Sequence, residues 1–406
     1  MYYRLLITFL FTLPALACQT SSAPTQSIEN QAAPTELRIL PGALQMNEYL
    51  PLLKENNVGV VVNHTSTLGN THLVDTLISA GVNIVKIFAP EHGFRGTASA
   101  GKKIEDGLDP KTELPIISLY GANRKPTAKH LSGIDLIVFD IQDVGVRFYT
   151  YISTLSLVME SCAEHGLPLI VLDRPNPNGH YIDGPVRKEV YKSFVGMHPI
   201  PVVYGMTIGE YAQMVNQEGW LASAVQSDLT VIRCQNYTHA SMFDPPIKPS
   251  PNLPNLRSIL LYPSLCFFEG TALSIGRGTE LQFQVIGHPE IGQGDYVFTP
   301  TSRAGATSPK LENLSCRGES LTDLREEELF DQAAIDVSYL IKYYDLFPDQ
   351  EAFFSKNLWI DKLAGTDSLR LAIIAGTSHQ DIKSRWQEDL EAFKLIRSKY
   401  LLYPDF

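Results

Sequence analysis

IDLIVFD, residues 134–140, sets four apolar residues, Leu136, Ile137, Val138 and Phe139, between two aspartates. A continuous apolar run of this length, with no polar alternation, suits a strand buried on both faces, as in a parallel sheet. Four other stretches share its form: VGVVVN (58–63), VNIVKIFA (82–89), PIISLYG (115–121) and LPLIVLD (167–173). Most are separated by segments of helical spacing, such as THLVDTLISAG (71–81) and YTYISTLSLVMESCAEHG (149–166). Alternating strand and helix predicts a doubly wound α/β domain over residues 37–200. After residue 200 the texture changes. A proline-heavy crossing, FDPPIKPSPNLPNL (243–256), leads into aromatic and glycine-rich segments, then into an apolar stripe of helical period in SRWQEDLEAFKLIRSKYLLYP (384–404). Residues 201–406 read as a smaller α+β domain.

The ends of these strands carry the chemistry. The first run ends in Asn63 and His64, the second in Glu91 and His92, and the third in Tyr120. The fourth ends in Asp140, Gln142 and Asp143, the fifth in Asp173, Arg174 and Asn176. In an open parallel sheet all carboxyl ends lie on one edge, and ligands bind in the crevice outside them. Several familiar uses of such an edge are excluded. The first turn, NHTSTLGN, has no GxGxxG, and no GxxxxGK[ST] loop occurs, so neither a dinucleotide nor a phosphate cradle is expected. Asp140 and Asp143 are three apart, whereas an Asp-x-Asp phosphatase pair needs two. The absence of a GxSxG elbow counts against a serine hydrolase, and with no HExxH helix and no EF-hand spacing of acids no metal is expected.

The net charge of −11 argues against nucleic acid, which requires a basic face. The first residues, MYYRLLITFLFTLPALAC, have the plan of a secretory signal at residues 1–17. LPALAC resembles a bacterial lipobox, which makes Cys18 a lipidation site; residues 18–36, rich in Ser, Thr, Gln, Ala and Pro, form a flexible tether. The expected location is the cell envelope, periplasmic and membrane-anchored through Cys18. The four remaining cysteines, Cys162, Cys234, Cys266 and Cys316, show no CxxC pairing and are assigned no disulfide.

FAPEHGFRG (88–96) concentrates Glu91, His92 and Arg95 at one turn. Such a turn either caps a strand with polar side chains or holds a carboxyl group for proton transfer. APEHGFRG, FDIQDVGVRFYTYISTL, DRPNPNG, GMTIGEYA, PSPNLPN and YPSLCFFEGTALSIGRGT, in this order from about residue 38 onward, resemble the signatures of the NamZ-type exo-β-N-acetylmuramidases, glycoside hydrolase family 171. The resemblance implies a Rossmann-like domain, a smaller C-terminal domain and an active cleft between them. It also implies release of N-acetylmuramic acid from the non-reducing ends of peptidoglycan fragments, without a cofactor.

Glycoside hydrolysis needs a protonated acid at the leaving oxygen and a partner for the positive anomeric centre. Under the resemblance Glu91 is the acid, with His92 orienting it or binding a sugar hydroxyl. Asp140 and Asp143 are candidates for the second carboxylate, with Asp143 preferred, although a 2-acetamido sugar can supply its own nucleophile. Muramic acid differs from N-acetylglucosamine by a lactyl carboxylate, which an arginine fork matches; Arg147, Arg174 and Arg277 are candidates, with Arg95 as another. Tyr149 and Tyr151 are placed to present rings to the sugar. Asn63, His64, Asn176 and Glu269 complete the expected substrate contacts. The competing expectation is a cell-wall-binding lipoprotein that uses the same cleft without catalysis.

Overall fold

Leu136–Asp140 is a strand buried along its whole length, inside a seven-stranded sheet in the computed structural model. The structure describes residues 1, 10, 37–91, 93, 94, 106–121 and 123–406. Cys18, the tether, His92 and Arg95 lie outside the described residues, as does the expected signal segment apart from residues 1 and 10. In chain order the strands are β1 (Asn57–Val62), β2 (Thr67–Leu68), β3 (Thr71–His72), β4 (Asn83–Ala89), β5 (Gly107–Leu108) and β6 (Pro115–Ser118). They continue with β7 (Leu136–Asp140), β8 (Leu169–Leu172), β9 (Leu229–Ile232), β10 (Val285–His288), β11 (Tyr296–Phe298) and β12 (Cys316–Ser320). The large sheet has the order β5-β6-β4-β1-β7-β8-β9. All its pairings are parallel except that of the edge strand β5 with β6. Taken in chain order, the six parallel strands lie 3-2-1-4-5-6, the Rossmann arrangement, and the order reverses between β1 and β7.

Burial explains why the strand sequences are apolar without alternation. Ile137 and Phe139 face one apolar cluster, and Leu136 and Val138 the other. The second cluster is closed by Tyr49 and Leu53 of α1 (Met46–Leu53) and by Leu73 and Leu77 of α2 (Leu73–Ser79). After α3 (Ala128–Leu131), the helices α4 (Tyr151–His165) and α5 (Ile208–Gln217) cover the first cluster. Helix α4 stops where Gly166 takes a left-handed conformation, φ 66°, and α5 starts on a capping box between Thr207 and Glu210.

The boundary expected at residue 200 is not a break in the structure. The sheet takes its last strand, β9, from beyond it, because Leu229–Ile232 pairs in parallel with β8. One apolar cluster runs from Val61 to Tyr400, and residues 38–406 form one compact unit. The smaller C-terminal part begins with α6 (Leu256–Leu265) and contains an antiparallel sheet, β10-β12-β11. It continues through α7 (Glu326–Gln332), α8 (Ser338–Leu346), α9 (Gln350–Phe353), α10 (Trp359–Ala364), α11 (Ser368–Ile374), α12 (His379–Ser384) and α13 (Gln387–Arg397). Cys162, Cys234, Cys266 and Cys316 are all buried with free thiols. Among the described residues no helix is long and apolar enough to cross a membrane.

Two buried arginines hold the sheet edge and the C-terminal part in place. Arg174 forms a two-point fork with Asp140, Nε to Oδ1 at 2.5 Å and Nη2 to Oδ2 at 2.8 Å, between the carboxyl ends of β8 and β7. Arg147 donates to four backbone carbonyls: Pro185 (2.8 Å), Ile200 (2.5 Å), Leu363 (2.9 Å) and Ala364 (2.7 Å). It thereby straps the end of α10 to the sheet domain. The chain terminus is also tied down. Tyr403 donates to Asp173 at 2.5 Å and accepts from the Cys234 amide at 2.8 Å.

Removing one partner of a buried ion pair leaves an uncompensated charge in a dry site. Arg174→Ala is therefore expected to lower unfolding free energy by about 3–5 kcal/mol, measured by urea denaturation at neutral pH. A loss no larger than that of an ordinary surface substitution contradicts the structural role of the pair.

Candidate active site

Outside the carboxyl edge of the sheet lies a cleft of about 430 Å³. The sheet domain contributes Glu91 after β4, Tyr120 after β6, and Phe148 to Tyr151 ahead of and into α4. Arg124 comes from the β6–α3 connection, and Phe194 from the long segment between β8 and α5. The C-terminal part contributes Tyr262 of α6, Glu269 and Arg277 from the glycine-rich stretch, and Trp359 and Lys362 of α10. The proline-heavy crossing supplies Ser250 and Asn252.

Glu91 is held by its neighbours. Thr150 stands at the N-cap of α4, yet its hydroxyl does not cap the helix; it donates to Glu91 Oε2 at 3.2 Å. The Tyr120 phenol lines the same cleft. Burial, then the negative charge of Glu91, push the phenol up to about 12, while Arg124 pulls it the other way. Tyr151 reaches the Glu91 backbone carbonyl at 3.5 Å. Tyr149 and Tyr151 pack edge to face with centroids 4.9 Å apart, and Tyr149 donates to the Pro249 carbonyl at 2.6 Å. Both rings line the cleft with their hydroxyls engaged.

On the C-terminal wall Arg277 Nε binds Glu269 Oε1, and its guanidinium lies 5.0 Å from the centroid of Phe283. Burial acts to raise the Glu269 carboxyl, but the charges of Arg277 and Lys310 outweigh it and hold the group below its ordinary value. Lys310 itself is driven down to about 8, chiefly by burial, with Nζ donating to the Phe268 and Thr271 carbonyls. Among the described residues, no group of three or more His, Cys, Asp or Glu side chains is arranged to hold a metal ion.

The strand-end residues divide into two layers. Glu91, Tyr149, Tyr151, Glu269 and Arg277 face the cleft as expected. Asp140, Asp143, Asn63, Asn176, Arg147 and Arg174 do not line it; they are buried behind it. The expectation that Arg147 and Arg174 meet the substrate is corrected by their bonds, since four carbonyls and the Asp140 carboxylate already occupy them. Asp140 is likewise taken up by Arg174. Asn176 donates to the Met206 carbonyl at 2.8 Å and accepts from the Asn178 amide at 2.8 Å. Asn63 accepts from the Thr65 amide and hydroxyl, and His64 bonds the Lys248 carbonyl at 2.8 Å, away from the cleft lining.

Asp143, the preferred second carboxylate, is corrected in the same way. Its Oδ2 accepts from Tyr204 (2.5 Å) and from the Gly145 amide (2.7 Å). Gly145 is required here: φ is +74°, and a Cβ would meet Asn176 Oδ1 at 2.1 Å. Burial pushes Asp143 up to about 7, against the pull of those bonds. Arg124, Phe194, Trp359 and Lys362 were not singled out from the sequence. Their side chains sit in a loop, a long crossing and a late helix, with no motif to mark them.

Residues 58–257 match the family described as exo-beta-N-acetylmuramidase NamZ, N-terminal, and residues 260–403 match its C-terminal counterpart. The chain is 36% identical, over 421 residues, to the peptidoglycan beta-N-acetylmuramidase NamZ of Bacillus subtilis strain 168, a match that covers 98% of this chain and 100% of that protein. It is also similar to crystal structures of two DUF1343-family proteins from Bacteroides fragilis NCTC 9343. The first has a TM-score of 0.85 at 46% identity, covering 91% of this chain and 100% of that one. The second has a TM-score of 0.75 at 28% identity, covering 90% and 99%.

The raised value of Asp143 has a consequence for stability. Between about pH 4 and about pH 7 the folded protein keeps a proton that an unfolded aspartate has released, so this group lowers stability as pH rises through that window. Asp143→Asn removes that titration. Urea unfolding of both proteins at about pH 4.5 and about pH 7.5 is expected to show a smaller loss on raising the pH in the variant. An identical change in the two proteins contradicts the assignment.

Proposed function

Since this chain belongs to the NamZ family of exo-β-N-acetylmuramidases, we propose that it is a glycosidase. It releases N-acetylmuramic acid from the non-reducing ends of peptidoglycan fragments, with Glu91 as the proton donor. The observation that carries the Glu91 role is the layering of the sheet edge. Of the acids at the strand ends, Glu91 faces the cleft, while Asp140 and Asp143 are turned inward to Arg174 and Tyr204.

Thr150 holds the Glu91 carboxyl, so its proton is delivered from a defined position to the departing glycosidic oxygen. The anomeric carbon gains positive charge as that bond breaks. The acetamido oxygen at C2 of the sugar is the nearest nucleophile to it, which suits a site whose inner aspartates are unavailable. Glu269, held ionised by Arg277 and Lys310, adds a fixed negative charge on the C-terminal wall. Aromatic rings of Tyr149, Tyr151, Tyr262 and Trp359 supply apolar surface for the sugar.

Placement in the envelope rests on the first 36 residues. A cleaved signal, a lipidated Cys18 and a polar tether would hold the folded body close to the peptidoglycan from which its substrates come.

Glu91→Gln preserves shape but cannot donate a proton, so turnover of a chromogenic N-acetylmuramide is expected to fall by roughly two to four orders of magnitude. Binding of the substrate should persist. Near wild-type turnover by a folded Glu91→Gln protein removes Glu91 from the role. For the anchor, Cys18→Ser should move the protein from the detergent phase to the aqueous phase on Triton X-114 partitioning; unchanged partitioning sinks the lipoprotein reading.

A further inference from the structure

A muramidase must recognise the lactyl carboxylate that distinguishes its sugar from N-acetylglucosamine, and the arginines expected to do so are occupied. Arg147 is bound to four carbonyls and Arg174 to Asp140. Arg277 lines the cleft but is paired with Glu269. Two other cations line it, Arg124 and Lys362. Among the described residues neither has a carboxylate partner, and each lies over an aromatic ring. The Arg124 Cζ is 4.3 Å from the centroid of Phe194, and the Lys362 Nζ is 5.8 Å from that of Trp359.

We propose that Arg124 receives the lactyl carboxylate of N-acetylmuramic acid. The assignment rests on the glycosidase reading above and adds the group that sets its selectivity. A guanidinium stacked on a ring is held in plane while its edge N–H groups stay available, so it presents a two-point fork to an incoming carboxylate. An ammonium over a ring offers a point charge without that match. Position supports Arg124 as well. Glu91, Tyr120 and Arg124 line the same cleft, and the Tyr120 phenol feels the charges of both other groups. Proton donor and free fork therefore stand in one cleft with Tyr120. A pyranose needs the same arrangement, because its glycosidic oxygen at C1 and its lactyl ether at C3 are two ring atoms apart. In a chain of net charge −11, a carboxylate ligand is attracted only where a local cation is not already neutralised.

The test compares wild type, Arg124→Ala, Arg124→Lys and Lys362→Ala on two chromogenic substrates with the same leaving group, an N-acetylmuramide and an N-acetylglucosaminide. Thermal unfolding checks that each variant is folded. Arg124→Ala is expected to lower kcat/KM on the muramide by roughly ten- to a hundredfold, the value of a charge-assisted hydrogen bond, and to leave the weak action on the glucosaminide unchanged. Arg124→Lys should recover part of the loss, and Lys362→Ala should not discriminate between the substrates. Equal losses on both substrates in Arg124→Ala, no loss on the muramide, or selectivity lost in Lys362→Ala instead would each overturn the assignment. A wild-type protein that cleaves the muramide keeps the glycosidase reading standing in those cases. One that cleaves neither substrate removes both.

Discussion

A parallel sheet directs every carboxyl end to one edge, and this chain must bury polar side chains there before it can expose any. The buried fork between Arg174 and Asp140 is the interaction on which that edge depends. It neutralises two charges where β7 and β8 end, in surroundings where either alone would cost several kcal/mol. Around it Asn63, Asp143 and Asn176 hydrogen-bond inward to hydroxyls and backbone groups. This inner layer is a floor. The cleft stands above it, and only the side chains that escape the floor meet a ligand.

Arg147 extends the same logic across the molecule. By gathering carbonyls from the Pro185 and Ile200 segments and from Leu363 and Ala364, it fixes α10 against the sheet domain. Trp359 and Lys362 on that helix thereby become part of a cleft whose floor lies some two hundred residues earlier in the chain. A cation that looked suited to a carboxylate ligand serves instead to build the wall. The glycosidase reading then draws on groups that the floor leaves over: one carboxyl held by a threonine hydroxyl, one carboxylate held ionised by cations, several rings and an arginine lying over one of them.

The fold was legible because burial on both faces of the sheet leaves an unmistakable trace. Each of the runs at 58–63, 82–89, 115–121, 134–140 and 167–173 coincides with a strand of the large sheet to within a few residues at either end. Helices α2 and α4 and the late helix α13 fall within segments whose apolar spacing predicts them. The extent of the sheet domain was less legible, because no apolar pattern says which sheet a strand beyond residue 200 joins; pairing of β9 with β8 decided that.

Sequence by itself determined the alternation of strands and helices and the edge on which polar residues collect, Glu91 among them. It did so because local periodicity and strand direction are properties of neighbouring residues. Only the tertiary structure decided which polar groups at that edge face inward. Asp140 and Glu91 both stand at the ends of apolar strands, yet one meets an arginine from the next strand end and the other lines the cleft beside a threonine hydroxyl. That difference depends on partners 34 residues away for Asp140 and 59 for Glu91. No spacing along the chain encodes whether a carboxylate will be neutralised from within or left for a ligand, because the answer is set by which cation or hydroxyl folding brings within hydrogen-bond reach.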